Sequence, residues 1–309
     1  MEIEQELASI TPQGKTLLTI GVFDGVHAGH RYLLEKLQQR AAEKKLLSGV
    51  VTFNPHPQSV LHPDNQLPWL SNLEDRVRAF QELGVNIVAV LTFTPKVAQL
   101  SARDFMSLLK KHLKMRGIMV GPDFVLGRGQ EGNVNLLRTL GREMNFSVEV
   151  IPPYTLNNEV VSSTLIRQAL AQGDMRRVQT LMGRYFYLRG EVITSDKRGR
   201  GLGFPTANLD IKPQQASPSD GVYATITQVN GKRFPSATNI GIRPTFGEGG
   251  KTVETHLIQY KGDLYGKEIM VEFVQKLRDE QRFPSSEELK IQIEKDVREV
   301  EAILANDLR

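Results

Sequence analysis

Hydrophobic and polar positions in the first part of the chain alternate between two periods. Between Thr16 and about Gly183, short apolar runs are followed by segments whose apolar positions recur every three or four residues. The runs predict buried strands and the longer segments predict amphipathic helices. The predicted strands are 17–23, 49–53, 86–93, 118–121 and 147–151. The predicted helices are 30–45, one that opens at the capping pattern 71–74 and closes at Gly84, 101–115 and 134–144. Repeated β-α units of this length indicate a parallel sheet with helices on both faces.

The remainder of the chain has apolar runs with little helical periodicity between them. The predicted strands are 188–194, 222–229, 233–239, 253–260 and 269–276. Asn230 and Gly231 separate two of these runs, and this dipeptide predicts a tight hairpin because both residues tolerate positive φ. These features favour a small antiparallel barrel.

The C-terminal segment returns to helical periodicity. Residues 285–305 begin with Ser285 three positions before Glu288, which is a capping pattern. We therefore expect a terminal helix after the barrel. The change of period near residues 183–187 predicts two domains, 1–184 and 185–309.

Composition narrows the class of protein. The 309 residues are 40% hydrophobic and 24% charged, an ordinary globular balance. Cysteine is absent, which excludes disulfides, cysteine nucleophiles and zinc–thiolate sites and favours a reducing cytoplasm. No apolar run approaches the roughly 20 residues that span a bilayer, and the acidic start, 1–13, lacks the pattern of a secretory signal. We expect a cytoplasmic protein without membrane contact.

The formal net charge of +4 allows two kinds of partner. The basic residues are dispersed rather than grouped in a run, which favours phosphorylated small molecules over nucleic acid. As partners we expect small-molecule substrates and no nucleic acid, with the protein a monomer or a weak homo-oligomer.

A candidate phosphate site lies where the first predicted strand meets the first helix. The sequence there is Asp24-Gly25-Val26-His27-Ala28-Gly29-His30. Glycines let the backbone approach a ligand, and the helix N-terminus offers free N–H groups to a phosphate. Two imidazoles three residues apart can donate to the same oxygens and stabilise charge on a transferring phosphate. A surface turn and a zinc pair are the alternatives, although no third zinc ligand is evident.

A second element strengthens the phosphate interpretation. Val161-Ser162-Ser163-Thr164-Leu165-Ile166-Arg167 follows the last strand and begins a helix. Its hydroxyls, helix N–H groups and guanidinium suit β- and γ-phosphates. Alone it would be a helix cap with a solvated arginine. Together the two motifs predict a triphosphate clamp and transfer of a nucleotidyl group from ATP.

These motifs resemble the nucleotidylyltransferase superfamily. With Thr52-Phe53-Asn54-Pro55-His56-Pro57 and Gly121-Pro122-Asp123-Phe124, the string 20–30 is similar to the FMN adenylyltransferase module of the bacterial bifunctional riboflavin kinase/FAD synthetase family. The resemblance implies a Rossmann-like domain in which the residues contacting ATP are Gly21, Phe23, Asp24, His27, His30, Ser163, Thr164 and Arg167. It places Asn54 and Asp123 by the flavin and the reacting phosphates. A proline-punctuated strand end is the alternative for 53–57. Leu126 and Gln130 depart from the family pattern on the flavin side.

A second candidate site follows the first predicted barrel strand. The loop 197–203 is basic and glycine-rich, and glycines there let backbone N–H groups approach a nucleotide. Thr206 and Asn208 then offer oxygen ligands of the kind that suit Mg²⁺. The loop lacks the P-loop pattern, and a flexible basic hairpin is the other interpretation of the loop alone.

The neighbouring motifs decide between these interpretations. Phe204-Pro205-Thr206-Ala207-Asn208, 239–246, Glu254-Thr255-His256-Leu257 and Asp263-Leu264-Tyr265-Gly266 together resemble a riboflavin kinase module. The resemblance implies ATP at Gly199, Gly203, Thr206 and Asn208, Mg²⁺ at Thr206 and Asn208, Glu254 as general base, and Arg278 by the flavin or ADP. The alternatives are a surface ion pair for Glu254, a salt bridge for Arg278 and a packing role for His256. Thr194-Ser195 stands where the family commonly has His-Gly.

The two modules imply two successive reactions. Riboflavin and ATP would give FMN and ADP, and FMN and a second ATP would give FAD and pyrophosphate. Two other classes stay open. One is an enzyme related to class I aminoacyl-tRNA synthetases, although the chain lacks a Lys-Met-Ser-Lys-Ser loop. The other is a flavin-binding carrier with a decayed kinase.

Overall fold

Five parallel strands form the centre of the first of two units into which the chain divides, Met1–Ser163 and Thr164–Arg309. The computed structural model describes residues 2–64, 67–194, 203–242 and 251–305. The strands are β1 (Thr16–Ile20), β2 (Leu47–Asn54), β3 (Ile87–Thr92), β4 (Met115–Val120) and β5 (Ser147–Val150). The helices are α1 (Glu2–Ser9), α2 (Ala28–Glu43), α3 (Pro57–Leu61), α4 (Leu73–Glu82), α5 (Pro95–Ala98), α6 (Ala102–Leu113) and α7 (Val134–Met144). A two-stranded hairpin, β6 (Thr155–Leu156) and β7 (Glu159–Val160), completes the unit.

Helices cover both faces of this sheet, as the β-α repeat predicts. The strand order is β3-β2-β1-β4-β5 with every pair parallel. Successive strand residues enter opposite cores because side chains alternate across a sheet. Leu17 packs with α2 and α4, whereas Leu18 packs with α1, α6 and α7. Because these strands are buried on both faces, their sequences are continuous apolar runs rather than alternating apolar and polar residues.

Several predicted boundaries in this unit are shifted by one to three residues, and three of these shifts have a local cause. The first strand ends at Ile20 rather than at residue 23, because Phe23 adopts a left-handed conformation. The predicted helix 101–115 ends at Leu113, since Lys114 is also left-handed and β4 begins at once. Asn72, not Ser71, caps α4 by accepting from the N–H of Asp75. The apolar patterns of the strand and of the helix extend past the left-handed residues at which these elements end. The capping pattern of α4 begins one residue before the true cap.

The second unit begins with two helices and continues as a barrel. The helices are α8 (Ser163–Gln172), whose first residue still belongs to the first unit, and α9 (Met175–Met182). The strands are β8 (Phe186–Ile193), β9 (Ala207–Leu209), β10 (Gly221–Val229), β11 (Lys232–Ile242), β12 (Lys251–Leu257) and β13 (Glu268–Arg278). They close in the order β10-β11-β12-β9-β8-β13, and every pair is antiparallel. This confirms the predicted barrel.

The predicted hairpin and terminal helix are both confirmed. Asn230 and Gly231 have φ of 48° and 78° and join β10 to β11. The last helix, α10 (Ser286–Leu304), is capped by Ser285, whose side chain accepts from the N–H of Glu288. It packs against the outer face of β10 and β11 through an apolar cluster. Nowhere in the described ranges is there a helix with the length and apolar character needed to cross a membrane.

A layer of buried hydroxyls lies inside the barrel. Thr225, Ser236, Thr238 and Thr255 are fully buried and hydrogen-bonded to one another across β10, β11 and β12. The Oγ1 atoms of Thr238 and Thr255 lie 2.9 Å apart. Because buried polar groups are costly without partners, this network fixes the register of these three strands.

Candidate active sites

The first predicted site lies at the carboxyl edge of the parallel sheet. Strand order reverses between β1 and β4, and ligands of open parallel sheets bind beyond the carboxyl ends at such a switch point. The loop of His27 and His30 follows β1, and Asp123 follows β4. Asn54 is the last residue of β2, the other neighbour of β1, and the side chains of Asn54 and Asp123 are exposed. The structure thus brings these segments to one edge.

The two histidines form a stacked pair at the start of α2. Their ring centroids are 3.6 Å apart and their planes differ by 18°. His27 caps the helix, because its Nδ1 accepts from the backbone N–H of His30 at 3.4 Å. A neutral ring whose Nδ1 accepts carries its proton on Nε2. Gly29 is needed here, since a Cβ would lie 3.2 Å from the His27 ring and 3.3 Å from the Val161 carbonyl.

His30 is neutral at physiological pH. Burial lowers the pKa of His30 well below its ordinary value, and the nearby His27 and Arg76 lower this pKa further. Its Nδ1 is buried and has no hydrogen-bond partner among the residues that the structure describes. Two stacked imidazoles cannot both become charged without strong repulsion. His30 therefore offers a neutral N–H donor, and the pair does not carry two positive charges.

The loop before α2 is conformationally strained. Phe23 and Val26 have φ of 55° and 41°, and Gly25 has φ of 80°. Positive φ at a β-branched residue is a genuine outlier, and such strain concentrates at functional sites. The Phe23 ring packs edge-on against His30 at 5.2 Å. Gly21 leaves room for that ring, since a Cβ would lie 3.1 Å from it.

Asp24 is buried beneath the loop in this structure. Its carboxylate accepts from the backbone N–H groups of Leu70, at 3.0 Å, and Ser71, at 3.2 Å. Ser71 in turn accepts from the N–H of Gly25 at 2.9 Å. Asp24 therefore joins the loop to the segment that begins α4.

The second phosphate motif begins at the junction of the two units. Ser163 is the first residue of α8, and its hydroxyl donates to the Asp24 carbonyl at 3.1 Å. Thr164 and Arg167 lie on the first two turns of the same helix, within the second unit. Thr164 is exposed and Arg167 is partly buried.

The second predicted site is a row of side chains on the outer face of the barrel. In the register of β9, β12 and β11, Asn208 lies opposite Glu254, and Glu254 lies opposite Asn239. Cβ atoms of such directly opposed residues are about 4.5–5.5 Å apart. Asn208 is buried, and Glu254 is partly exposed. Glu254 thus lies between Asn208 and Asn239 in the sheet, and the Asn239 amide donates to Glu280 at 3.5 Å.

The residues around Thr206 complete this region. Thr206 directly precedes β9 rather than lying in it, and it is partly exposed. His256 contacts the preceding segment: its Nδ1 lies 2.9 Å from the Pro205 carbonyl and its ring packs edge-on against Phe204. Gly203 has φ of 87°, and no atom of the described residues lies within 4 Å of its Cβ position. The predicted ATP residue Gly199 lies outside the described residues.

The hydroxyl of Thr206 and the amide oxygen of Asn208, the two predicted metal residues, are hard oxygen donors. Such ligands suit Mg²⁺, which keeps waters and substrate phosphates in its remaining positions. Over the described ranges, no cluster of three or more His, Asp or Glu side chains is placed to hold a metal ion.

Arg278 is held by the terminal helix. Its Nε and Nη2 donate to the Asp296 carboxylate, the shortest contact being 2.8 Å, and Asp296 is 4% exposed. Gln292 also donates to Asp296 at 2.8 Å. The salt bridge, which was one of the two interpretations of Arg278, is present.

Several residues at these sites were missed by the motif analysis. Ser71, Arg76 and Thr52 support the strained loop, and Asn239 lies beside Glu254. Only Asn239 and Thr52 stand in motifs that could have singled them out. Ser71 and Arg76 are distant in sequence and carry no pattern that links them to the loop.

Comparisons with known proteins agree with this two-part organisation. Residues 9–165 match the family model described as FAD synthetase, and residues 182–304 match the one described as riboflavin kinase. A bifunctional riboflavin kinase/FMN adenylyltransferase of Escherichia coli K12 is 40% identical over 93% of this chain and 92% of the relative. One of Pseudomonas fluorescens is 37% identical over 99% of this chain and 98% of the relative.

A solved structure has the same fold throughout. It is a crystal structure described as a macrolide-efflux protein from Streptococcus pneumoniae, 28% identical, with a TM-score of 0.87 and coverage of 96% of each chain. That description names a different activity from the two family models. The likeness therefore indicates the fold of the chain and not its activity. The paired family models and the full-length relatives agree with one another, and the chain belongs to the bifunctional riboflavin kinase/FMN adenylyltransferase family.

Proposed function

We propose that the barrel phosphorylates riboflavin with ATP to give FMN and ADP, and that the parallel-sheet site converts FMN and ATP to FAD and pyrophosphate. The observation that supports the second step best is the stacked His27–His30 pair at the N-terminus of α2. It offers N–H donors at the switch point of the sheet, where a phosphate would bind.

In the adenylyl transfer, a phosphate oxygen of FMN attacks the α-phosphorus of ATP, and the bond to the β-phosphate oxygen breaks. His27 and His30 donate to the α-phosphate oxygens as their charge grows, which lowers the barrier without a covalent intermediate. The other residues that bind ATP are Gly21, Phe23, Asp24, Ser163, Thr164 and Arg167. Asn54 and Asp123, exposed at the same edge, orient the flavin and its phosphate.

In the kinase step, Glu254 takes the proton of the riboflavin 5′-hydroxyl while the oxygen attacks the γ-phosphorus and ADP leaves. Asn208 and Asn239 lie opposite Glu254 on the two neighbouring strands. Thr206 and Asn208 hold Mg²⁺, which would neutralise charge on the phosphates. Gly199 and Gly203 let the loop approach the nucleotide, and Arg278 contributes to the flavin side.

We further propose the division of labour and the setting of the enzyme. The adenylyltransferase occupies 1–184 and the kinase 185–309. The basic charge serves phosphorylated substrates rather than nucleic acid or a membrane surface. The protein works in the cytoplasm as a monomer or a weak homo-oligomer.

One experiment tests the proposal directly. The full chain is incubated with riboflavin, ATP and MgCl₂, and the flavins are separated by chromatography over time. FMN should rise first and FAD should follow, and a parallel reaction without MgCl₂ should form neither. Formation of FMN without FAD, even from added FMN, would contradict the assignment of the first site.

A further inference from the structure

A buried cation lies under the strained loop of the first unit. Arg76, on the second turn of α4, is 5% exposed. Its Nη1 donates to the Val22 carbonyl at 2.6 Å and lies 3.5 Å from the Thr52 hydroxyl. Its Nε is buried and finds no hydrogen-bond partner in the part of the chain that the structure describes. A charge is expensive to bury, so these contacts call for a functional explanation.

The contact at Val22 is placed where the loop needs support. Val22 immediately precedes the left-handed Phe23, and strained residues such as this persist only when their surroundings over-determine them. The Val22 carbonyl also accepts from the Thr52 hydroxyl at 3.2 Å. The segment before α4 holds Asp24 through the N–H groups of Leu70 and Ser71, and it holds the N–H of Gly25 through the Ser71 hydroxyl. Arg76 adds a charged donor to this support.

The guanidinium also acts electrostatically on the site. Burial lowers the pKa of Arg76, whereas the neighbouring Asp24 and Glu74 raise it, and an arginine remains charged at neutral pH. The groups that act on the pKa of His30 besides its burial are His27 and Arg76, and both lower it. Arg76 therefore favours the neutral form of His30 as well as the loop geometry.

We propose that Arg76 is a positioning residue for adenylyl transfer: it holds the Val22 carbonyl, and through it the loop that carries both imidazoles. This inference rests on the function proposed for the first site. Donors arranged in advance for the transition state raise kcat, whereas general contacts with ATP set its binding. Loss of Arg76 should therefore lower kcat and leave the KM for ATP nearly unchanged.

The test compares Arg76→Met, Arg76→Lys and the matched control Arg78→Met in the full chain. Arg78 is on the same helix but is half exposed. FAD formation from FMN and riboflavin phosphorylation are measured for each variant, together with thermal unfolding. Arg76→Met should lower kcat for FAD formation by about tenfold to a hundredfold, the range for loss of a charged hydrogen bond, with a KM for ATP within about twofold. Arg76→Lys should recover most of kcat, and Arg78→Met should match the wild type.

The outcomes separate positioning from packing. Equal activity of Arg76→Met and wild type would overturn the inference, as would equal losses in the Met and Lys variants or a loss confined to KM. If Arg76→Met does not fold, Arg76→Gln replaces it. The inference then requires that the kcat of the Arg76→Gln variant is lower than the kcat of the Arg76→Lys variant. A wild type that forms no FAD would instead refute the proposed function, so the two failures are distinguishable.

Discussion

The two proposed sites use the backbone in opposite ways. The adenylyl-transfer site is a loop between a strand and a helix, in which Phe23, Gly25 and Val26 all have positive φ. The kinase site places Asn208, Glu254 and Asn239 on adjacent extended strands that are paired in register. The first needs support from distant segments to keep a strained shape. The second needs only that three strands keep their register, and the hydroxyl layer inside the barrel secures it between β11 and β12.

The largest expected effect is on the kinase. Glu254→Gln should lower riboflavin phosphorylation by about a hundredfold to ten-thousandfold, because a general base contributes that much. Conversion of added FMN to FAD should stay at the wild-type rate, as measured by chromatography of both reactions. Glu272→Gln is the matched control, since Glu272 is a strand carboxylate that pairs with Arg233. Loss of both activities in a folded Glu254→Gln would end the comparison of two independent sites.

The complementary change comes next. His30→Ala should lower FAD formation by about a hundredfold to a thousandfold through loss of one transition-state donor, while FMN accumulates from riboflavin. His112→Ala serves as control because His112 lies on α6 and contacts Glu4. Unimpaired FAD formation in His30→Ala would remove the histidine pair from the mechanism.

A third change separates structure from flavin contact at Arg278. Arg278→Met should lower the free energy of unfolding of the barrel unit by about 3–5 kcal/mol, because it removes the cation from the buried Asp296 carboxylate, which keeps the Gln292 amide as a donor. Urea unfolding followed by circular dichroism measures this loss. The double variant with Asp296→Leu should regain most of the stability. A riboflavin KM that stays raised in the double variant would support flavin contact, and a wild-type KM would assign Arg278 to the salt bridge alone.

The first unit should be sensitive to acid. Because the pKa of folded His30 lies below its unfolded value near 6.5, the unfolded chain binds more protons between these two values. The contribution of His30 to the free energy of unfolding should therefore be fully present above about pH 6.5. It should decrease as the pH falls toward the pKa of folded His30. Trp69, the single tryptophan, reports unfolding of this unit by fluorescence. In His30→Gln the decline between pH 7.5 and 5.5 should be smaller, and an unchanged slope would exclude His30 as its source.

The barrel should show the opposite trend with pH. Burial raises the pKa of Tyr223 to about 12, and its hydroxyl donates to the Ser219 carbonyl at 2.6 Å. The unfolded chain loses this proton near pH 10, so stability should decline as the pH rises from about 10 to 12. Tyr223→Phe should weaken the dependence in urea unfolding followed by circular dichroism. The comparison fails if both units respond to the same pH range.

Local patterns predicted much of the fold. The parallel sheet, the hairpin at Asn230-Gly231 and the cap at Ser285 were all predicted, because each depends on residues close in sequence. The helix α1 and the short hairpin β6–β7 were not. They are brief, and α1 is placed by contacts with α6 and β3 that its own sequence does not encode.

The sequence by itself determined which chemical groups are available and the order in which they occur. His27, His30 and Ser163 stand in motifs whose local conformation, a strand end followed by a helix start, depends on neighbouring residues. Tertiary structure decided the rest. In the folded chain the Asp24 carboxylate accepts from the Leu70 N–H, and Arg76 donates to the Val22 carbonyl. Asn239 lies opposite Glu254 on the neighbouring strand. Those contacts join segments dozens of residues or whole strands apart, and packing and hydrogen-bond satisfaction choose them rather than local propensity.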